Sequence, residues 1–179
     1  MLVLGIDPGI AITGIAVVHE DHGKQKLLHS HAITTPSNLP SSLRLLKLYK
    51  SLIEIIKSHK PDVAALENLF FNTNAKTALI VGQARGVIQL ALTQNKIPIV
   101  EYTPLQVKMA LTGYGRADKN QIQQMVKTIL KLPTILSPDD VADAAAIALT
   151  HCFSYKINKM SNFKAQSSNK VQSSKFKNA

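Results

Sequence analysis

A single cysteine, Cys152, in 179 residues excludes an internal disulfide framework and leaves no cysteine cluster for zinc. That usage fits a reducing compartment. The adjacent His151 does not rescue a metal reading, because structural zinc wants about four converging ligands, so the pair reads as half-buried helix residues. No apolar run reaches the roughly 20 residues that span a bilayer, and the amino terminus, MLVLGID, is strand-like without the basic flank of a secretory signal. The expected location is cytoplasmic, with no membrane contact. The length also excludes two full-sized domains with separate interiors, so one ordinary core is expected.

Acids are scarce as well. Eleven stand against 21 lysines and arginines, for a net charge of +10, and a strongly basic chain is drawn to polyanions such as nucleic acid. The excess is uneven. Residues 155–179 hold six lysines and no acid, which leaves the rest of the chain a balance of only +4. This stretch is rich in Ser, Asn, Gln and Lys with few apolar residues, too few to bury a surface that would order it. Residues 1–154 are therefore read as the folded domain and 155–179 as a disordered basic tail, either solubilising or a weak nucleic-acid contact.

What the chain does have is readable punctuation. Residues 2–7 and 12–19 are β-rich and joined by Pro8-Gly9, and a break at Asp21-His22-Gly23 leads to a third strand near 27–34. From 41 to 59, Leu43, Leu46, Tyr49, Leu52, Ile53 and Ile56 recur at helical spacing behind Ser41 or Ser42 as cap, and Pro61 ends the run. Strands are expected at 62–67 and 97–102, and helices at 75–94, 104–111 and 118–131. A last helix follows Ser137 as cap, with Pro138 in its first turn and Asp139 and Asp140 where the helix dipole favours negative charge. Ala142, Ala144, Ala145, Ala146 and Ala148 make that helix slim enough to lie close to a sheet. The order βββαβαβα, with helices at the end, predicts a mixed α/β sheet of five strands with helices on both faces.

The few acids can be taken one by one. Asp7 ends the first strand, and Glu67 ends the apolar run VAALE. Asp140 and Asp143, three apart, share a helix face. An acid finishing an apolar strand is poorly solvated and needs a cation. Adjacent strand ends and a helix packed on them can bring four carboxylates to one place, where like charges repel. Hard oxygen ligands without Cys or clustered His suit Mg²⁺ or Mn²⁺. Two such ions about 4 Å apart activate water and stabilise a leaving oxygen in phosphodiester cleavage. Strand-end acids also form ordinary ion pairs and caps, so spacing alone leaves both readings open.

Five segments in order carry more. LGIDPGIAITG, Glu67 followed three residues later by Phe70-Phe71, GQARG (82–86), EYTPLQVKMALTGYGRADKNQI (101–122) and DDVADAAAIALTHC (139–152) closely resemble RuvC, the bacterial crossover junction endodeoxyribonuclease family. The resemblance runs from Leu2 to about Cys152. It implies a ribonuclease H-like fold and a homodimer that resolves four-way Holliday junctions by paired, Mg²⁺-dependent nicks in recombination and DNA repair. RuvA and RuvB are the implied partners, and the GQARG helix would supply much of the dimer contact. The family's catalytic, metal-holding acids fall on Asp7, Glu67, Asp140 and Asp143, with Asp139 left outside as a cap. The aromatic that wedges into the opened junction falls on Phe70, against which stands simple core packing. DNA-contacting basic positions fall on Lys108 and Lys119, against which stands a solvated helix face. Gly113, Gly115 and Arg116 fit a flexible, DNA-facing loop. The stretch after Phe71 reads NTN, where many relatives carry a basic residue near Thr73.

Rival readings are thinner. IDPGIAITGIAV also resembles the phosphate hairpin of actin-like ATPases and sugar kinases, which need a second lobe and a second Gly-rich loop. YqgF-type nucleases share the fold but would not supply the FF, GQARG and GYGRADK segments together. A basic DNA-binding module with a dead site fits the charge and gives four converging acids no use.

Overall fold

The computed structural model describes residues 1–68 and 75–155, so Phe70, Thr73 and the tail beyond Tyr155 lie outside the described residues. Strand alternation organises the rest. In β1 (Leu2–Asp7) Leu4 and Ile6 point to one face, and Val3, Gly5 and Asp7 to the other. β2 (Ile12–Asp21) and β3 (Lys24–Thr34) extend an antiparallel meander from β1. β4 (Val63–Glu67) and β5 (Ile99–Tyr102) add in parallel on its other side, giving the order β3-β2-β1-β4-β5. The helices are α1 (Ser41–His59), α2 (Ala75–Gln94), α3 (Pro104–Thr112), α4 (Lys119–Ile129) and α5 (139–155). Leu4, Ile6, Ile15 and Val17 pack under α1 and α2, while Val3, Ala16, Val18 and Ala65 pack under α3, α4 and α5. The mixed sheet with helices on both faces is as the element order predicts. Among the described residues no helix is long and apolar enough to cross a membrane.

Four local expectations change. β3 begins at Lys24, because His22 (φ 47°) and Gly23 (φ 87°) make a two-residue turn with both φ positive, which lets Asp21 pair directly with Lys24. Ser41 is the first residue of α1 and not its cap. Pro40 takes the cap position without a side-chain bond, its carbonyl accepting from Leu43 and Arg44 at 3.0 and 3.1 Å. The buried stripe of α1 is Leu48, Leu52, Ile55 and Ile56, with Leu43 and Leu46 about half exposed. The helix is apolar around so much of its girth that period alone admits either stripe, and packing on the sheet chooses. Last, α5 begins at residue 139, and Pro138 stands ahead of it with its carbonyl accepting from Val141 at 3.0 Å.

The seat of α5 is a close backbone contact. A Cβ built on Gly5 would lie 2.0 Å from the Ala144 carbonyl oxygen, and one on Gly14 would lie 1.8 Å from that of Asp140. Helix backbone therefore rests directly on strand backbone. Ala144, Ala145 and Ala148 complete the approach from the helix side, all fully buried. A glycine inside a strand often marks such a close backbone approach.

Gly14→Ala is expected to force α5 off the sheet and to cost about 3 kcal/mol or more, at the upper end of overpacking effects. Thermal melts measure it. A melting point equal to that of the unsubstituted protein would show that α5 does not depend on this contact.

Candidate active site

Asp7 ends β1 opposite Gly14 of β2, and the β1–β4 register, with Ile6 beside Leu66, brings Glu67 to the same level on the neighbouring parallel strand. Both carboxylates point to the α5 face, by the parity that sends Leu66 and Ile6 to the other. Above them the glycine seats of Gly5 and Gly14 hold the first turns of α5, which carry Asp140 and Asp143. The four acids named from sequence thus lie near the carboxyl ends of two adjacent strands, with Asp140 set to one side.

Asp7 is the hub. Burial, then the charges of Glu67, Asp143 and Asp140, push its carboxyl up to about 8. Glu67 is also raised, first by burial and then by Asp143, although a hydrogen bond with Asp7 and the charges of Arg85 and Lys119 pull it back. The two carboxyls lie close enough to titrate as a pair, the contact raising Asp7 and lowering Glu67. Asp143 is raised by burial against the opposing pull of Lys119. Asp140 stands to one side, lining the recess beneath the β1–β2 turn with Gly9 and Ile12.

Lys119 is the local cation. Its Nζ lies 3.1 Å from Asp139 and 3.3 Å from Asp143. Burial works against its charge, but the hydrogen bond to Asp139 and the charge of Asp143 outweigh it, and its pKa is raised. Asp139 is thus not the helix cap expected from its position. Its carboxylate takes Lys119 and, at 3.0 Å, the Gln123 amide, and the Lys119 contact holds its pKa down. The start of α4 is parked against the start of α5, an arrangement no spacing along the chain announces.

A cleft of about 180 Å³ opens beside these groups, lined by Glu67 and Asp143 and by Lys108 and Lys119. Lys108 reaches it from α3. Arg116 is exposed on the α3–α4 loop, and neither Lys108 nor Arg116 has an acidic partner among the described residues. The loop itself has defined geometry: Gly113 closes α3 at φ 69°, its N–H donating to Met109, and Gly115 presses against Leu105. His151 and Cys152 are more buried than expected. Tyr102 and His151 share a 2.9 Å hydrogen bond, and burial pushes the Cys152 thiol up to about 12, so the thiol is inert.

The family model "Crossover junction endodeoxyribonuclease RuvC" matches residues 3–151. The chain belongs to the RuvC family. A RuvC of Desulforamulus reducens is 56% identical over 151 residues, covering 84% of this chain and 93% of that protein. One of Alkaliphilus oremlandii is 51% identical over 164 residues, covering 92% and 100%. Among solved structures, Thermus thermophilus RuvC in complex with a Holliday junction substrate superposes with a TM-score of 0.85 at 36% identity, covering 88% of this chain and 96% of that one. The yeast mitochondrial Holliday junction resolvase shares the fold, with a TM-score of 0.64 at 18% identity. The mixed sheet expected from the element order and the ribonuclease H-like fold implied by the resemblance are therefore both those of RuvC.

The donor set suits a hard divalent cation. It is all carboxylate oxygen, and three of the acids carry raised pKa values that a cation would reverse. Among the described residues no three ligand-type side chains yet surround a common point. Lys119 holds Asp143, and Asp7 is spent on Glu67.

The pH response of the metal-free protein follows. Folded Asp7 keeps its proton up to about 8, while the unfolded chain releases it near 3.8. Between these values the native state binds more protons, so stability present below the lower value is lost as pH rises through the upper. Asp7→Asn should flatten this slope and melt higher at alkaline pH, by roughly 2–4 °C per kcal/mol recovered. Melts in EDTA across that range measure it, and an unchanged slope in Asp7→Asn would assign the titration to another group.

Proposed function

We infer that this chain is a structure-selective endonuclease that resolves four-way DNA junctions by hydrolysing phosphodiester bonds in recombination and repair. The observation that carries the reading is the convergence of three raised carboxylates and Asp140 beside a lysine-lined cleft, in a chain of the RuvC family. Asp7, Glu67, Asp140 and Asp143 hold the metal and are the catalytic set. Mg²⁺ is the metal, two ions per site, with Mn²⁺ able to substitute. When bound, such ions lower the pKa of water and neutralise charge on the leaving oxygen.

The chain's own groups do the rest. Lys108 and Lys119 meet backbone phosphates at the cleft, and Arg116 meets them from the neighbouring loop. Such contacts hold register and orientation without reading sequence. Lys119 also keeps Asp143 paired until a divalent cation takes its place. Phe70, two residues beyond Asn68, is assigned the wedge that stacks on an opened base. The domain is residues 1–154, and the basic tail adds sequence-independent affinity. The setting is the cytoplasm.

Paired nicks need two sites, and the homodimer is assigned to α2. Its outer face carries Leu79 at 66% and Leu90 at 54% exposure, with Gly82 and Gly86 between them meeting nothing within 4 Å. Apolar residues flanking open glycines let a second helix approach closely. RuvA and RuvB are the functional partners.

Asp7→Asn, Glu67→Gln, Asp140→Asn and Asp143→Asn should each lower nicking of a four-way junction by on the order of 100-fold or more while binding survives. Cutting should need Mg²⁺ or Mn²⁺, with Ca²⁺ supporting binding alone. Single-turnover nicking and gel-shift binding measure both, and full activity in Asp7→Asn or in EDTA would sink the reading.

The dimer has its own check. Gly82→Leu should leave the fold intact, since a side chain there meets nothing within the chain, but should convert dimer to monomer in sedimentation. An unaffected dimer would move the interface elsewhere.

A further inference from the structure

Arg85 sits in α2, on the face of the sheet opposite the cleft. It belongs to the GQARG segment, whose neighbours Gly82 and Gly86 are open to solvent, yet its own side chain is only 14% exposed. The guanidinium turns inward. Nη1 donates to the main-chain carbonyl of Glu67, and Nη2 pairs with the carboxylate of Glu101. One turn on, Gln89 donates to Glu101 at 3.3 Å. The strand register explains why these acceptors are adjacent: Leu66 pairs with Glu101 and Glu67 with Tyr102, and the Asn68 N–H closes the end of the ladder on the Tyr102 carbonyl at 2.7 Å. Glu101 shares the parity of Ile99, which faces α2, so Arg85 clamps β4 to β5 from beneath.

We propose that Arg85 is the positioning residue for Glu67, gripping its main-chain carbonyl from the α2 face so that its carboxylate is presented to the divalent cation on the α5 face. Arg85 itself cannot reach the cation or the DNA in the cleft, because the sheet lies between. The effect passes through one peptide unit. Strand backbone is pleated, so fixing the carbonyl of the last residue of β4 fixes the direction of its side chain, just where the ladder ends and the chain would otherwise swing. The planar fork aims two separate N–H groups, one at the carbonyl and one at the carboxylate, with less ordering than a lysine ammonium would need, which favours arginine here over lysine. The α2 helix, assigned above to the dimer contact, is then also a support of the site it backs.

The inference rests on the metal-dependent nuclease reading and is tested on the full chain. Arg85→Met, Arg85→Lys, Glu101→Gln and the double variant Arg85→Met/Glu101→Gln are titrated with Mg²⁺. Two readouts are taken, the Mg²⁺-dependent rise in melting temperature and single-turnover nicking, with junction affinity measured in Ca²⁺. Arg85→Met should raise half-saturating Mg²⁺ about 10- to 100-fold, as loss of an outer-shell partner typically does, with junction affinity unchanged. Arg85→Lys should recover part of the loss. Glu101→Gln should move the same midpoint in the same direction, and the double variant should be no worse than Arg85→Met, since both act through one clamp. A wild-type Mg²⁺ midpoint in Arg85→Met, or in Glu101→Gln if Arg85→Met does not fold, overturns the proposal. Weakened junction binding with an unchanged Mg²⁺ midpoint overturns it too, by making Arg85 a DNA or dimer contact. Failure of the nuclease reading is separate: the wild type would then fail to nick, while the melting readout would still report on Arg85.

Discussion

Backbone-on-backbone contact between α5 and the sheet is what the site hangs on. Gly5 and Gly14 leave no side chain between strand and helix, so the carbonyls of Ala144 and Asp140 come to rest where a Cβ would otherwise stand. That depth puts the first turns of α5 level with the ends of β1 and β4. At that depth Asp143 shares a cleft with Glu67, and a larger residue at either glycine would move the two apart. Dense interiors transmit such a shift instead of absorbing it. The same approach explains the alanine content of α5, where any larger face would hold the helix away.

The site so assembled works against the stability of the metal-free chain. Burial and mutual repulsion keep Asp7 protonated to about 8 and raise Glu67 and Asp143. Lys119 offsets part of this, and Asp139 and Gln123 hold it in place from α5 and α4. Exposed ion pairs of this kind contribute little to folding, and their consequence is positional: the cation stays at the rim of the cleft. Under the proposed reading, a divalent ion would compete with Lys119 for Asp143, linking occupancy of the site to release of the lysine.

The two faces of the sheet divide the labour. Acids and lysines occupy the α5 face. The α2 face supplies the Arg85 clamp and, on the outer side of the helix, the glycine and leucine surface assigned to a second copy. Alternation along β4 and β5 makes the division possible, since Glu67 and Glu101 are near neighbours in the ladder yet point to opposite sides.

How much of this was legible depends on whether the signal was local. Element order, the five strands and the span of α2 follow from period and punctuation, which neighbouring residues carry by themselves. Asp7 and Glu67 stood out because an acid closing an apolar strand has no local solvation, and Asp140 and Asp143 because a three-residue step shares a helix face. The buried stripe of α1 was legible in part: Leu52 and Ile56 are buried and Tyr49 and Ile53 pack beside them, but Leu48 and Ile55 take the places expected of Leu43 and Leu46, because apolar residues lie on both sides and the sheet selects. Asp139 read as a cap because its partner, Lys119, lies 20 positions away. Arg85 was read only within the GQARG segment, as part of a dimer contact, and its inward role was hidden for the same reason: its acceptors sit on two other elements. Sequence by itself determined which residues could carry metal chemistry and which family the pattern resembles, since both are properties of residue type and order. Tertiary structure alone decided the depth of α5, the pairing of Lys119 and the grip of Arg85, because each is a contact between elements whose relative placement is set by packing.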